Sequence, residues 1–85
     1  MNNYSNLLRP VQAAQLLGCS LTTLYKYVKV GVCPAPLQFG SNSVAWLSHE
    51  IEAVIAARIC GYSDDEIQLM VKDIIQQRSI FKEEK

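Results

Sequence analysis

Three residues, Gly18-Cys19-Ser20, do most to limit what this 85-residue chain can fold into, because one helix signal stops before them and another starts after. Upstream, Pro10 suits the first turn of a helix, where its missing N–H costs no hydrogen bond. Val11, Ala13, Ala14, Leu16 and Leu17 then give a short apolar face ending at Gly18. Downstream, the Ser20 hydroxyl is the kind that accepts from the first turn of a following helix. Leu21, Leu24 and Val28 follow at helical spacing, and Gly31 supplies the stop. Two helices joined by a short turn containing glycine form a helix-turn-helix.

Pro34 and Pro36 forbid further helix beyond Gly31. Leu37-Gln38-Phe39 and Val44-Ala45-Trp46 alternate around Gly40-Ser41-Asn42-Ser43, the pattern of a hairpin. On this reading Leu37, Phe39, Val44 and Trp46 share one face, while Gln38 and Ala45 point away. Trp46 then acts as a core hinge between the hairpin and the next helix. That third helix is expected to be capped by Ser48, with Glu50 and Glu52 near its positive end. Ile51, Val54, Ile55, Arg58 and Ile59 mark its inward stripe, and Gly61 ends it. Ser63-Asp64-Asp65-Glu66 is a capping box opening a fourth helix, where Ile67, Met70, Val71, Ile74 and Ile75 recur at amphipathic spacing. The expected organisation is a flexible N-terminus over 1–6, a winged helix-turn-helix over 7–61, a C-terminal amphipathic helix over 62–81 and a tail over 82–85. The fold class is mainly α, with a short β-hairpin wing.

Composition excludes several other classes. The length has room for one domain and one modest core. No apolar run approaches the roughly 18 to 20 residues of a membrane span. Met1-Asn2-Asn3-Tyr4-Ser5-Asn6 is polar and uncharged, unlike a secretory or organelle leader, so a cytoplasmic chain without a membrane partner is expected. Cys19, Cys33 and Cys60 form no CxxC pair, and His49 is the only histidine. A zinc site needs about four clustered ligands, so no metal or cofactor is expected, and the thiols read as small buried or half-buried hydrophobes. His49 is assigned no role. There is no glycine-rich phosphate loop and no evident nucleophile with a basic partner, so neither an enzyme nor a small-molecule substrate is expected.

The net charge of zero conceals an uneven distribution. Residues 1–49 hold Arg9, Lys26 and Lys29 and no acid, a charge of +3, whereas residues 50–85 hold five basic and eight acidic side chains, a charge of −3. Such a split fits one face that meets phosphate and another that does not.

The run Leu8-Arg9-Pro10-Val11-Gln12-Ala13-Ala14-Gln15-Leu16-Leu17-Gly18-Cys19-Ser20-Leu21-Thr22-Thr23-Leu24-Tyr25-Lys26 resembles the helix-turn-helix of the AlpA family. These are small phage- and island-encoded regulators and excisionase-like proteins (recombination directionality factors) with a MerR-like winged fold. Gly31, Pro34, Pro36, the hairpin closing on Val44-Ala45-Trp46, and Ile51-Glu52-Ala53-Val54-Ile55-Ala56-Ala57-Arg58 continue the resemblance, over about two-thirds of the chain. Family members commonly carry a basic residue after the N-cap serine, where this chain has Leu21. They also tend to carry arginine or lysine at the wing tip, where it has Ser41-Asn42-Ser43.

A recognition helix presents its N-terminal residues to base edges in the major groove of double-stranded DNA. Thr22 and Lys26 lie one turn apart and can face the same groove, Lys26 toward guanine or a phosphate and Thr22 toward either base type. Thr23, Tyr25 and Lys29 suit phosphate oxygens, and Arg9 can pin the backbone across the groove. Gln38, Ser41, Asn42 and Ser43 of the wing can reach an adjacent groove or backbone. Three or four phosphate contacts give a salt slope of only about −3 to −4, so occupancy is expected to need several copies side by side. The stripe Ile67, Met70, Val71, Ile74 and Ile75 can serve that self-association or complete the core of its own subunit. The resemblance implies an accessory factor that assists a tyrosine-recombinase integrase, or a transcription regulator of a prophage or mobile element. Zero net charge, Leu21 and the uncharged wing leave open a protein-interaction module that kept the fold without DNA binding.

Overall fold

The computed structural model describes residues 6–80, and the tail expected over 82–85 and most of the flexible N-terminus expected over 1–6 lie outside them. Seven elements follow in order: β1 (Leu7–Leu8), α1 (Pro10–Leu17), α2 (Leu21–Lys29), β2 (Leu37–Gln38), β3 (Val44–Leu47), α3 (Ser48–Ile59) and α4 (Asp64–Gln77). The fold is a mainly helical winged helix-turn-helix with a three-stranded antiparallel sheet in the order β1-β3-β2. Among the described residues no helix is long and apolar enough to cross a membrane.

The turn between α1 and α2 forms as its sequence requires. Gly18 adopts φ 74°, a left-handed conformation that costs a side-chain-bearing residue about 1–2 kcal/mol. In that geometry the Cys19 N–H reaches back to Ala14 O at 3.0 Å and the Gly18 N–H to Gln15 O at 3.1 Å, closing α1. Ser20 caps α2: the Thr23 N–H donates to its Oγ at 3.1 Å, and its own hydroxyl donates to Thr23 Oγ1 at 3.0 Å. Ser63 and Glu66 form the reciprocal capping box at the start of α4.

β1 has no sequence signal beyond two leucines, yet it builds the second edge of the sheet. It pairs Leu7 with Leu47 and Leu8 with Trp46, which makes β3 the central strand. Asn6 extends this edge, its carbonyl accepting from the Ser48 N–H at 2.8 Å and its N–H donating to Ser48 Oγ at 2.9 Å. Ser48 is therefore the first residue of α3 rather than its cap; Leu47 occupies the cap position, with no side-chain hydrogen bond. The hairpin register also differs from the expected one. Leu37 pairs with Ala45 and Gln38 with Val44, so Leu37 shares a face with Ala45 and not with Val44 and Trp46. A central strand covered on both faces buries consecutive residues, and Ala45 and Trp46 are both inaccessible, while Phe39 is left exposed.

Two apolar clusters form the core. Ala13, Ala14, Leu24, Cys33, Trp46 and Ile51 make the first, between the helix-turn-helix, the sheet and α3. Val32, Val54, Ala57, Ile67 and Val71 make the second, which α4 closes by folding back on its own chain; Leu17 and Tyr27 pack against both. Three expected faces are narrower than their spacing implies, with Leu17, Val28 and Ile55 half-buried against the first cluster. Val11 and Leu16 of α1 and Leu21 of α2 lie exposed, leaving Ala13, Ala14 and Leu24 as the buried positions. On α3 the buried residues are Glu50, Ile51, Val54 and Ala57, while Ile59 is 79% exposed and Arg58 lies outside, bonded to Asp64 at 3.1 Å.

Glu50 is 1% exposed and is buried because Arg78 reaches it. Arg78 Nη2 meets Glu50 Oε1 at 2.6 Å and Nε meets Oε2 at 3.0 Å, while Nη2 also donates to Ala35 O at 2.8 Å. The residue just past α4 is thereby fastened to α3 and to the linker before the wing. Removing one partner of a buried pair strands a charge, so Arg78→Ala is expected to lower stability by about 3 kcal/mol in urea denaturation. Replacing both partners with leucine should restore most of that loss. A double variant no more stable than Arg78→Ala would contradict this assignment.

Candidate nucleic-acid interface

α2 presents one polar stripe to solvent. Thr22, Lys26 and Lys29 are spaced four and three apart and all are exposed, whereas Leu24 is fully buried and Tyr27 and Val28 are half-buried. Neither lysine has a carboxylate partner among the described residues. No acid precedes Glu50 in the chain, and Glu50 itself is neutralised inside by Arg78. The stripe therefore carries uncompensated positive charge even though the whole chain has none.

The other sequence-predicted residues fall into different environments. Thr23 is half-buried, and its Oγ1 accepts from Ser20, which leaves its own hydroxyl proton free to donate. Tyr25 is 43% exposed and sets its ring edge-to-face with Trp46, centroids 5.7 Å apart at 68°. It is therefore partly open to solvent while its ring contact couples α2 to the central strand. Gln38, Ser41 and Asn42 are exposed and Ser43 is half-buried, all in or beside the wing loop. Gln38 Nε2 donates to Gly40 O at 3.4 Å, and the loop closes through the Phe39 N–H to Ser43 O at 2.7 Å. Arg9 is brought to this loop, its Nη1 donating to Ser43 Oγ at 2.8 Å and to Val44 O at 3.2 Å. No local sequence pattern signals that contact. Of the stripe read for self-association, Ile67 and Val71 are buried within their own chain, Met70 and Ile74 are half-buried, and Ile75 is exposed.

α2 and the central strand β3 are held relative to one another through Trp46, whose Nε1–H donates to Pro34 O at 2.8 Å inside the core. A groove of about 310 Å³ lies between the end of α2 and α4, lined in part by Lys29, Val30, Gln68 and Lys72. The Gln68 amide bridges it by donating to Val30 O at 2.9 Å. Among the described residues no set of three or more histidine, cysteine or acidic side chains is placed to hold a metal ion. Cys33 is buried and Cys19 half-buried, but Cys60 is exposed, against the reading of all three as interior thiols. Burial, with the nearby Cys19 and Glu50 adding to it, pushes the Cys33 thiol up to about 12.

This geometry defines a winged helix-turn-helix with one exposed, acid-free helix beside a short wing. The fold is similar to that in the crystal structure of HiNmlR, a MerR family regulator lacking the sensor domain, bound to promoter DNA. The TM-score is 0.60 at 20% identity, over 92% of this chain and 70% of that one. The family model of the prophage CP4-57 regulatory protein (AlpA) matches residues 6–59, and the chain belongs to that family. It is also similar to the uncharacterized protein ORF88 of Enterobacteria phage P4, 37% identical over 54 residues. That match covers 64% of this chain and spans 61% of the phage protein's length.

Because the thiolate is the reacting form, a thiol held up to about 12 is inert at neutral pH. In a labelling time course on native protein at pH 7.5, Cys60 is expected to alkylate first and Cys33 only on unfolding. Equal rates at the two positions would refute this description of the core.

Proposed function

We propose that the protein is a sequence-specific binder of double-stranded DNA that regulates a prophage or mobile element, as a transcription regulator, a recombination directionality factor, or both. The observation that carries this is the exposed stripe of Thr22, Lys26 and Lys29 on the second helix of a helix-turn-helix, free of acid and flanked by a wing. Membership of a prophage regulatory family supports it. So does the likeness to a MerR family regulator whose structure contains promoter DNA.

In this reading α2 enters the major groove. Thr22 and Lys26 read base edges, while Thr23, Tyr25 and Lys29 fix register on phosphates. Gln38, Ser41, Asn42 and Ser43 of the wing hydrogen-bond a neighbouring stretch of backbone without adding to counterion release. So few cations give a single copy little affinity at physiological salt. Occupancy then comes from several copies on adjacent repeats, with Ile75 and neighbouring apolar positions of α4 available between them. A tyrosine-recombinase integrase is the partner that a directionality role requires.

The experiment is selection of binding sites from random duplex DNA at low and physiological salt, followed by affinity measurement on the best sequence. Lys26→Ala is expected to weaken binding about 5- to 100-fold, and Thr22→Ala to relax preference at one base position. The log-log salt slope should be no steeper than about −4. If the wild type enriches no sequence at either salt, the fold serves protein interaction instead, and the exposed Leu21, Tyr25 and Val30 of α2 and its C-cap become the surface to test.

A further inference from the structure

Arg9 stands where the helix-turn-helix meets the wing. Its backbone N–H donates to Gln12 Oε1 at 2.8 Å, closing the first turn of α1. Its side chain leaves that helix altogether, and Nη1 donates to Ser43 Oγ at 2.8 Å and Val44 O at 3.2 Å. Ser43 is also the residue whose carbonyl closes the wing loop by accepting from the Phe39 N–H. The wing has little else to fix it. β2 is two residues long and joins β3 only through the pairs Leu37–Ala45 and Gln38–Val44. Two residue pairs at the edge of the sheet leave the loop beyond them with few backbone ties. A guanidinium is suited to the added tie, since its planar, pre-organised donors lose less freedom per hydrogen bond than a flexible ammonium does.

We infer that Arg9 is a positioning residue, which locks the wing to the amino end of α1 and so sets the placement of Ser41 and Asn42 relative to Thr22 and Lys26. Its positive charge acts inside the chain and not on a phosphate. The clamp stands on the geometry alone; its consequence for binding rests on the DNA-binding reading proposed above.

Two measurements on Arg9→Ala, Arg9→Lys, Ser43→Ala and the Arg9→Ala/Ser43→Ala double variant test it. In the free protein, losing either partner should speed hydrogen exchange of the Phe39 amide about three- to tenfold, with the Leu24 amide of α2 unchanged. On the selected DNA site, Ser43→Ala should weaken binding about three- to tenfold with an unaltered salt slope. The double variant should be no weaker than Arg9→Ala, and Arg9→Lys should not restore affinity. A salt slope shallower by about one in Arg9→Ala, rescue by lysine and a neutral Ser43→Ala would instead make Arg9 a phosphate contact and overturn the inference. Unchanged Phe39 exchange would overturn the clamp itself. Failure of the wild type to bind any DNA would remove the proposed function, and the exchange measurement would still decide the clamp.

Discussion

Trp46 occupies the point where the sheet, the helix-turn-helix and α3 converge, and its burial holds them in one body. It lies on the central strand opposite Leu8, packs in the cluster that contains Leu24 of α2 and Ile51 of α3, and meets Tyr25 edge-on. An indole in that position needs a partner for its N–H, and Pro34 O supplies one at 2.8 Å. Pro34, one of the two prolines that keep the segment after Gly31 from being helical, therefore also turns its carbonyl toward the core. The relative placement of α2 and the central strand β3 follows from this buried ring.

α4 adds a second constraint of a different kind. Its apolar residues Ile67 and Val71 close the lower cluster, but its end is fastened by charge, through Arg78, Glu50 and Ala35. A buried ion pair contributes little net stability compared with apolar packing. What it does is fix which residues meet, and here it also removes from the surface the first carboxylate of the chain. Residues 1–49 themselves hold three cations and no acid.

The helices were legible because their signals are local. Ser20, the Ser63–Glu66 box and Gly18 act within a few residues of themselves, and their hydrogen bonds appear where the sequence places them. What was not legible depends on partners far along the chain. Two leucines at 7 and 8 carry no periodicity, yet pairing them with Leu47 and Trp46 turns β3 into a central strand. That alone invalidates an inside–outside reading of Val44-Ala45-Trp46, since both faces become covered. Likewise Glu50 reads as a helix-start acid until Arg78, 28 residues on, explains why it can be buried. The candidate site divides the same way: the α2 stripe follows from spacing, and the Arg9–Ser43 contact follows only from the tertiary fold.

The proposed DNA binding requires α2 to lie in the major groove. Dimethyl sulfate footprinting tests it most directly, because guanine N7 faces the major groove and adenine N3 the minor groove. On the selected site, bound protein should protect guanine N7 within each repeat, and Lys26→Ala should lose protection at one guanine while retaining the rest. Full occupancy with guanine N7 reactive throughout, or with protection confined to adenine N3, would rule out that placement of α2.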